Sequence, residues 1–215
     1  MSLTRRSLAL GSLAGALAAS VSAPALAQGR LSAADRQLVD RAVAYLEGLT
    51  SARGRFTQTD SNGRTTTGTL FMQRPGKARF AYDAPSRLLV VSNGSTVAVQ
   101  DGRLNSFSSY PLSSTPLSLF LARNIRLDRG VQVVQVRRAA DGFTLVARDL
   151  RKQTAGQIEL TFADNPLRLA SWVVVDAQRR ATRVNLQGLQ PASGLDPALF
   201  VLNDPRKKNV GRGKL

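Results

Sequence analysis

The 215-residue chain carries 30 Lys and Arg against 14 Asp and Glu, a formal net charge of +16, and it contains neither His nor Cys. Those absences exclude Ser-His and Cys-His nucleophilic pairs, ordinary zinc sites and any disulfide framework, so stability has to come from packing. The positive excess suits an anionic membrane surface, an acidic partner or nucleic acid.

Arg5 and Arg6 precede an uncharged apolar run from Leu8 to Val21, and Ala25-Leu26-Ala27 supplies an A-x-A cleavage site. The run is too short for a permanent membrane anchor. Residues 1–27 therefore read as an export signal, and the adjacent arginines resemble a twin-arginine signal. Export argues against nucleic acid as a partner. It leaves residues 28–205 as one domain and residues 206–215 as a basic tail. Residues 1–27 hold two arginines and no acid, so the remainder carries +14. The exported protein is expected to begin near Gln28. N-terminal sequencing checks this, and retention of residues 1–27 contradicts it. Exchanging Arg5 and Arg6 for Lys should block export on a twin-arginine route and hardly affect a general secretory one.

After the signal, Ser32 is placed to cap a helix, with Asp35 three residues on. Leu38, Ala42, Tyr45, Leu46 and Leu49 recur at helical spacing up to about Thr50. Asp35 and Asp40 fall on this helix and read as part of a solvated face. From Arg55 the pattern changes to short strands. Asn62-Gly63 is a hairpin signal. Leu70 and Met72 share one face, then come Arg74-Pro75-Gly76 and the alternating Ala78, Phe80 and Tyr82. An apolar run, Leu88 to Val91, turns at Ser92-Asn93-Gly94 into Val97 and Val99, and Asp101-Gly102 turns again.

Thr115-Pro116 opens a short helix to Asn124 whose Leu117, Phe120 and Leu121 share a face. Strands resume at Val131–Val136, Phe143–Ala147 and Ile158–Phe162, then run from Asn165-Pro166 through Trp172 and Val174, and through Val184 and Leu186. Asp196-Pro197 and a single turn at Phe200 close the domain. The pattern predicts a mainly β chain with few helices, a meandering antiparallel sheet or barrel. Aromatics make up only 6% of the sequence, so a hollow lined by Val, Leu, Ala and Met could remain. Periodicity by itself favours a filled core.

No two acids form a close acid–base pair. Lys77, Lys152, Lys207 and Lys208 stand in exposed-looking basic contexts, so neither an enzyme nor a cofactor site is expected.

The order of Phe56-Thr57-Gln58, Gly68, Arg74-Pro75-Gly76, Phe80, Tyr82, Pro85 and Val91-Ser92-Asn93-Gly94 resembles the LolA family of periplasmic lipoprotein carriers. Thr115-Pro116-Leu117 and the stretch Leu169–Asp176 fit the same pattern, so the resemblance spans roughly residues 33 to 190. It implies an incomplete antiparallel β-barrel, a half-barrel covered by short helices that form a lid over an apolar cavity. It implies a monomeric periplasmic chaperone for acylated lipoproteins. These would come from an inner-membrane lipoprotein-releasing ABC transporter and pass to the outer membrane, through a LolB-like receptor where one exists. Arg74 would latch the lid by hydrogen bonds to lid backbone. The cavity would be lined by Leu70, Met72, Phe80, Tyr82, Leu117, Phe120, Leu121 and Trp172. The small Ala78, where the family often carries aromatics, would widen the cavity rim.

A lid follows from energetics. Each buried CH₂ is worth about 0.8 kcal/mol, so one long acyl chain represents on the order of 10 kcal/mol. A rigid pocket of that kind would hardly release its cargo, whereas lid contacts that compete with lipid weaken net binding. The nearest rival is a related half-barrel that binds free lipid or acts as an envelope-stress sensor. An exported hydrolase lacks residues for chemistry, and a nucleic-acid binder lacks interleaved exposed aromatics.

Overall fold

The computed structural model describes residues 31–115, 117–123, 131–149, 156–176 and 178–205. The chain divides into two units, Met1–Arg30 and Leu31–Leu215, and every described element belongs to the second. The expected signal (1–27), the tail (206–215), Lys152, Lys207 and Lys208 lie outside the described residues.

Helix α1 spans Ala33–Gly48. Its cap forms as the sequence predicts: Ser32 Oγ accepts the Asp35 N–H at 3.0 Å and donates to the Asp35 carboxylate at 2.7 Å. The last turn closes where Leu49 N–H reaches the Tyr45 and Leu46 carbonyls.

Six strands follow: β1 (Ser51–Thr59), β2 (Thr65–Gln73), β3 (Lys77–Tyr82), β4 (Leu88–Asn93), β5 (Thr96–Asp101) and β6 (Ser106–Pro111). A 3-10 turn at Leu112–Ser114 leads into α2 (Leu117–Leu121). Then come β7 (Val131–Ala139), β8 (Gly142–Asp149), β9 (Gly156–Ala163), β10 (Arg168–Asp176) and β11 (Ala181–Pro191), with a final 3-10 turn at Pro197–Phe200. The sequence pattern misses β6, because SFSSYP is almost wholly exposed and shows no apolar alternation.

All neighbouring strands are antiparallel, in the order β6-β5-β4-β3-β2-β1-β11-β10-β9-β8-β7. Two meanders are therefore joined in the middle, where β11 returns to pair with β1. Among the described residues β6 and β7 do not pair, so the barrel stays open. The connection between these two edge strands carries α2.

The core lies on the face that α1 covers. Alternation along β1, β2, β3, β8, β9 and β10 sends Phe56, Leu70, Met72, Phe80, Phe143, Leu145, Leu160, Phe162 and Trp172 to that face, against Ala42 and Leu46 of α1. The few aromatics are concentrated here. Phe56 meets Phe80 and Tyr82 edge-on at 5.6 and 5.0 Å between ring centroids. Phe143 stacks on Phe162 at 5.2 Å, and Tyr45 meets Phe162 edge-on. Most of the expected hollow is thus filled by rings. Gly68 makes one of these contacts possible: it lies opposite Phe56, and an added Cβ would fall 2.5 Å from the Phe56 ring and from the Ala81 carbonyl oxygen.

Two ion pairs fasten α1 to the second meander. Arg41 binds Asp164 at 2.7 Å, and Arg138 of β7 binds Asp35 at 2.8 Å. Asp35 is therefore more than a solvated helix acid. The Arg138 guanidinium, helped by Ser32, holds its carboxyl below the usual carboxylate range. On the opposite face of the sheet, Arg79 of β3 donates to the Leu199 carbonyl at 3.1 Å and Phe200 is buried, so the final turn braces β3 and β4 from outside.

Candidate functional site

A half-open cavity of about 230 Å³ remains on the inner face. Phe80 and Tyr82 of β3 with Val90 of β4 form one wall, and Ile158, Leu160, Trp172, Val174, Thr182 and Val184 of β9, β10 and β11 form the other. Gln58 of β1 lies between the walls, and Leu117 and Phe120 of α2 complete the lining. Nine of these twelve residues are apolar and none is charged. Such a wall binds by excluding water from hydrocarbon.

At 230 Å³ the space falls short of the roughly 300–1,000 Å³ of pockets that enclose a whole ligand. Phe120 fills part of the space between the walls. It is 4% exposed, and its ring lies 5.5 Å from that of Trp172, which in turn meets Phe80 at 6.2 Å.

What holds α2 is the turn between β2 and β3. The Gly76 N–H donates to the Leu121 carbonyl at 2.8 Å. Gly76 has φ +75°, and an added Cβ would sit 2.6 Å from Gly94 Cα, so the Arg74-Pro75-Gly76 turn is wedged against the Asn93-Gly94 turn. Ser92, 1% exposed, donates its hydroxyl to the Gly76 carbonyl.

Arg74 is the remaining tie. Its Nη1 donates to the Leu46 carbonyl at the end of α1, and its guanidinium carbon lies 5.4 Å from the Phe120 ring centroid. One side chain thus spans both helices, by a hydrogen bond to α1 and a cation–π contact to α2. The resemblance placed its hydrogen bonds on lid backbone. Here the α2 backbone bond comes from Gly76, and Arg74 meets α2 through the ring face. Burial lowers the Arg74 pKa to about 10 against the opposing pull of Glu47 and Tyr45, so the group stays charged at neutral pH. Among the described residues its Nε and Nη2, both buried, meet no hydrogen-bond partner.

Of the residues picked from sequence, Phe80, Tyr82, Leu117, Phe120 and Trp172 meet on the cavity wall. Leu70 and Met72 are fully buried in the core beside it, and Leu121, 1% exposed, turns toward the core rather than the lumen. Ala78 lies opposite Met72, buried, and does not border the cavity. Sequence reasoning missed Gln58, Val90, Ile158, Leu160, Val174, Thr182 and Val184. Alternation marks most of them as inward, but only the strand order brings β9–β11 across from β3 and β4.

A family model described as outer membrane lipoprotein carrier protein LolA matches residues 47–203. The outer-membrane lipoprotein carrier protein of Chromobacterium violaceum is 26% identical over 201 residues, 90% of this chain and 96% of that relative. The outer-membrane lipoprotein carrier protein of Azotobacter vinelandii is 27% identical over 187 residues, 82% of this chain and 89% of that relative. The crystal structure of a putative outer membrane lipoprotein-sorting protein domain from Vibrio parahaemolyticus is similar with a TM-score of 0.47 and 12% identity, over 76% of this chain and 94% of that one.

Proposed function

The chain belongs to the LolA family of outer membrane lipoprotein carrier proteins, and from that premise we propose that it holds the acyl chains of lipoproteins in the inner-face cavity and carries them toward the outer membrane. The observation that supports this most is the apolar, uncharged cavity, lined in part by a five-residue helix. A binding site of this build offers hydrocarbon a dry wall and a way in.

On this reading the protein works in the periplasm as a non-catalytic monomeric chaperone. It takes cargo from a lipoprotein-releasing ABC transporter in the inner membrane and passes it to an outer-membrane acceptor such as a LolB-like receptor. Among the described residues no helix is long and apolar enough to cross a membrane. Loading displaces Phe120 from the lumen, and unloading lets the lid refill it, so the empty state competes with lipid for the same surface.

The test is purification of the protein from periplasm without detergent, followed by mass spectrometry of what accompanies it. Acylated lipoproteins bound in stoichiometric amounts are expected. Free phospholipid alone, with no lipoprotein, would make it a lipid binder rather than a lipoprotein carrier.

A further inference from the structure

The apolar wall is interrupted at one end. Gln58, Tyr82 and Thr182 are the lining side chains with side-chain oxygen atoms, and Gln58 also lines a second, polar cleft of about 490 Å³. That cleft is bounded by Thr66, Asp60, Arg64, Asp83 and Arg103, where the β1–β2, β3–β4 and β5–β6 turns converge. Gln58 is thus the partition between a place for hydrocarbon and a place for polar groups.

The local geometry orients its amide. Gln58 follows Phe56 by two residues on β1 and so points to the same inner face. Tyr82 Oη donates to Gln58 Oε1 at 2.7 Å. Burial pushes the Tyr82 pKa up to about 12, so the phenol keeps this proton. With Oε1 turned to Tyr82, the amide's NH₂ group is a donor with two hydrogens to offer. An acyl chain ends in a carbonyl that only accepts, and drawing that carbonyl out of water is costly unless it meets a donor.

We propose that the Gln58–Tyr82 pair is a carbonyl hook: Gln58 Nε2 donates to the acyl carbonyl at the head of a cargo chain, and the polar remainder of the cargo lies in the adjoining cleft. This rests on the carrier reading and adds depth selection to it. Chains whose carbonyl stops at Gln58 are held with the hydrocarbon inside and the peptide outside.

The test uses two probe pairs, each differing in whether the chain is attached through a carbonyl. One is a dipalmitoylglyceryl-cysteinyl peptide and its dialkyl-ether analogue. The other is an N-palmitoyl peptide and an analogue with the chain attached by an ether. The native protein is expected to bind the carbonyl member of at least one pair about tenfold more tightly, and that pair names the source of the carbonyl as ester or amide. In Gln58→Leu the preference for the carbonyl member should fall to within about twofold. Tyr82→Phe keeps the ring packed on Phe56 and releases only the anchor, so it should lose part of the preference. A native protein indifferent to carbonyls, or variants that both retain the full preference, would overturn the hook. Failure of the native protein to bind any acylated probe would overturn the carrier reading itself, which separates the two.

Discussion

Phe120→Glu is expected to bind an acylated peptide about a hundredfold more weakly than the native chain while keeping its β-sheet. Phe120 lines the lumen and packs on Trp172. Its loss removes roughly 1.5–3 kcal/mol of apolar contact available to a loaded chain. The introduced carboxylate has two options, and both exclude lipid. It can remain ionised in an apolar lumen, which is costly beside hydrocarbon, or it can pair with Arg74, whose guanidinium already faces this position. The pair would hold the lid shut. About 2.7 kcal/mol between these effects corresponds to the hundredfold loss. The sheet is spared because α2 contributes only five residues and carries none of the strand pairing. Displacement of a fluorescent acyl probe, with far-ultraviolet circular dichroism as the control, measures it. Unchanged binding would remove α2 from the site.

Arg74→Leu moves affinity the other way. The closed, empty state loses a charge-assisted hydrogen bond to the Leu46 carbonyl, worth about 1.5–3 kcal/mol, and a cation–π contact worth about 0.5–2 kcal/mol. Against this, the native side chain buries a charge with two donors unmet, and Leu relieves that cost. Each unmet buried donor costs about 1–3 kcal/mol, so the relief is of the same order as the loss, and the gain in apparent lipid binding is held to about one decade. The variant should load cargo, transfer it to an acceptor membrane correspondingly slowly, and accumulate as a loaded complex. Transfer as fast as in the native chain would reduce Arg74 to a structural residue of the turn.

The two unmet donors also say something about the native latch. A fully satisfied Arg74 would lock the empty state and resist loading. On the carrier reading, a half-satisfied one would leave the closed and open forms closer in free energy, as loading and unloading both require.

Much of this arrangement is legible in the sequence. The Ser32–Asp35 spacing marks the start of α1, and apolar alternation or short apolar runs between turn signals mark ten of the eleven strands, because their inner positions are apolar. β6 escapes since neither of its faces is buried, leaving no period to read. The Arg74-Pro75-Gly76 turn is visible as a motif, but its partners are not. Leu46, Phe120 and Leu121 reach it from two separate helices, and only the fold brings them together. The cavity is harder still. Leu70 and Phe80 alternate identically, and they are opposite each other across β2 and β3. Yet Phe80 lines the cavity while Leu70 lies buried in the core, a distinction set by how the neighbouring strands and helices cover the face. Gln58 illustrates the converse. Read alone it is an ordinary polar strand residue, and it acquires meaning only where its strand carries it between an apolar cavity and a polar cleft.

The central claim, that the inner-face cavity holds the acyl chains of a lipoprotein, is tested most directly by native mass spectrometry. The chain from Gln28 onward is mixed with a triacylated cysteinyl peptide and, separately, with the same peptide lacking acyl chains. The account predicts a one-to-one complex with the acylated peptide, reduced by Phe120→Glu and strengthened by Arg74→Leu, and none with the bare peptide. Equal binding of both peptides, or a complex with the acylated one that neither substitution alters, would contradict it.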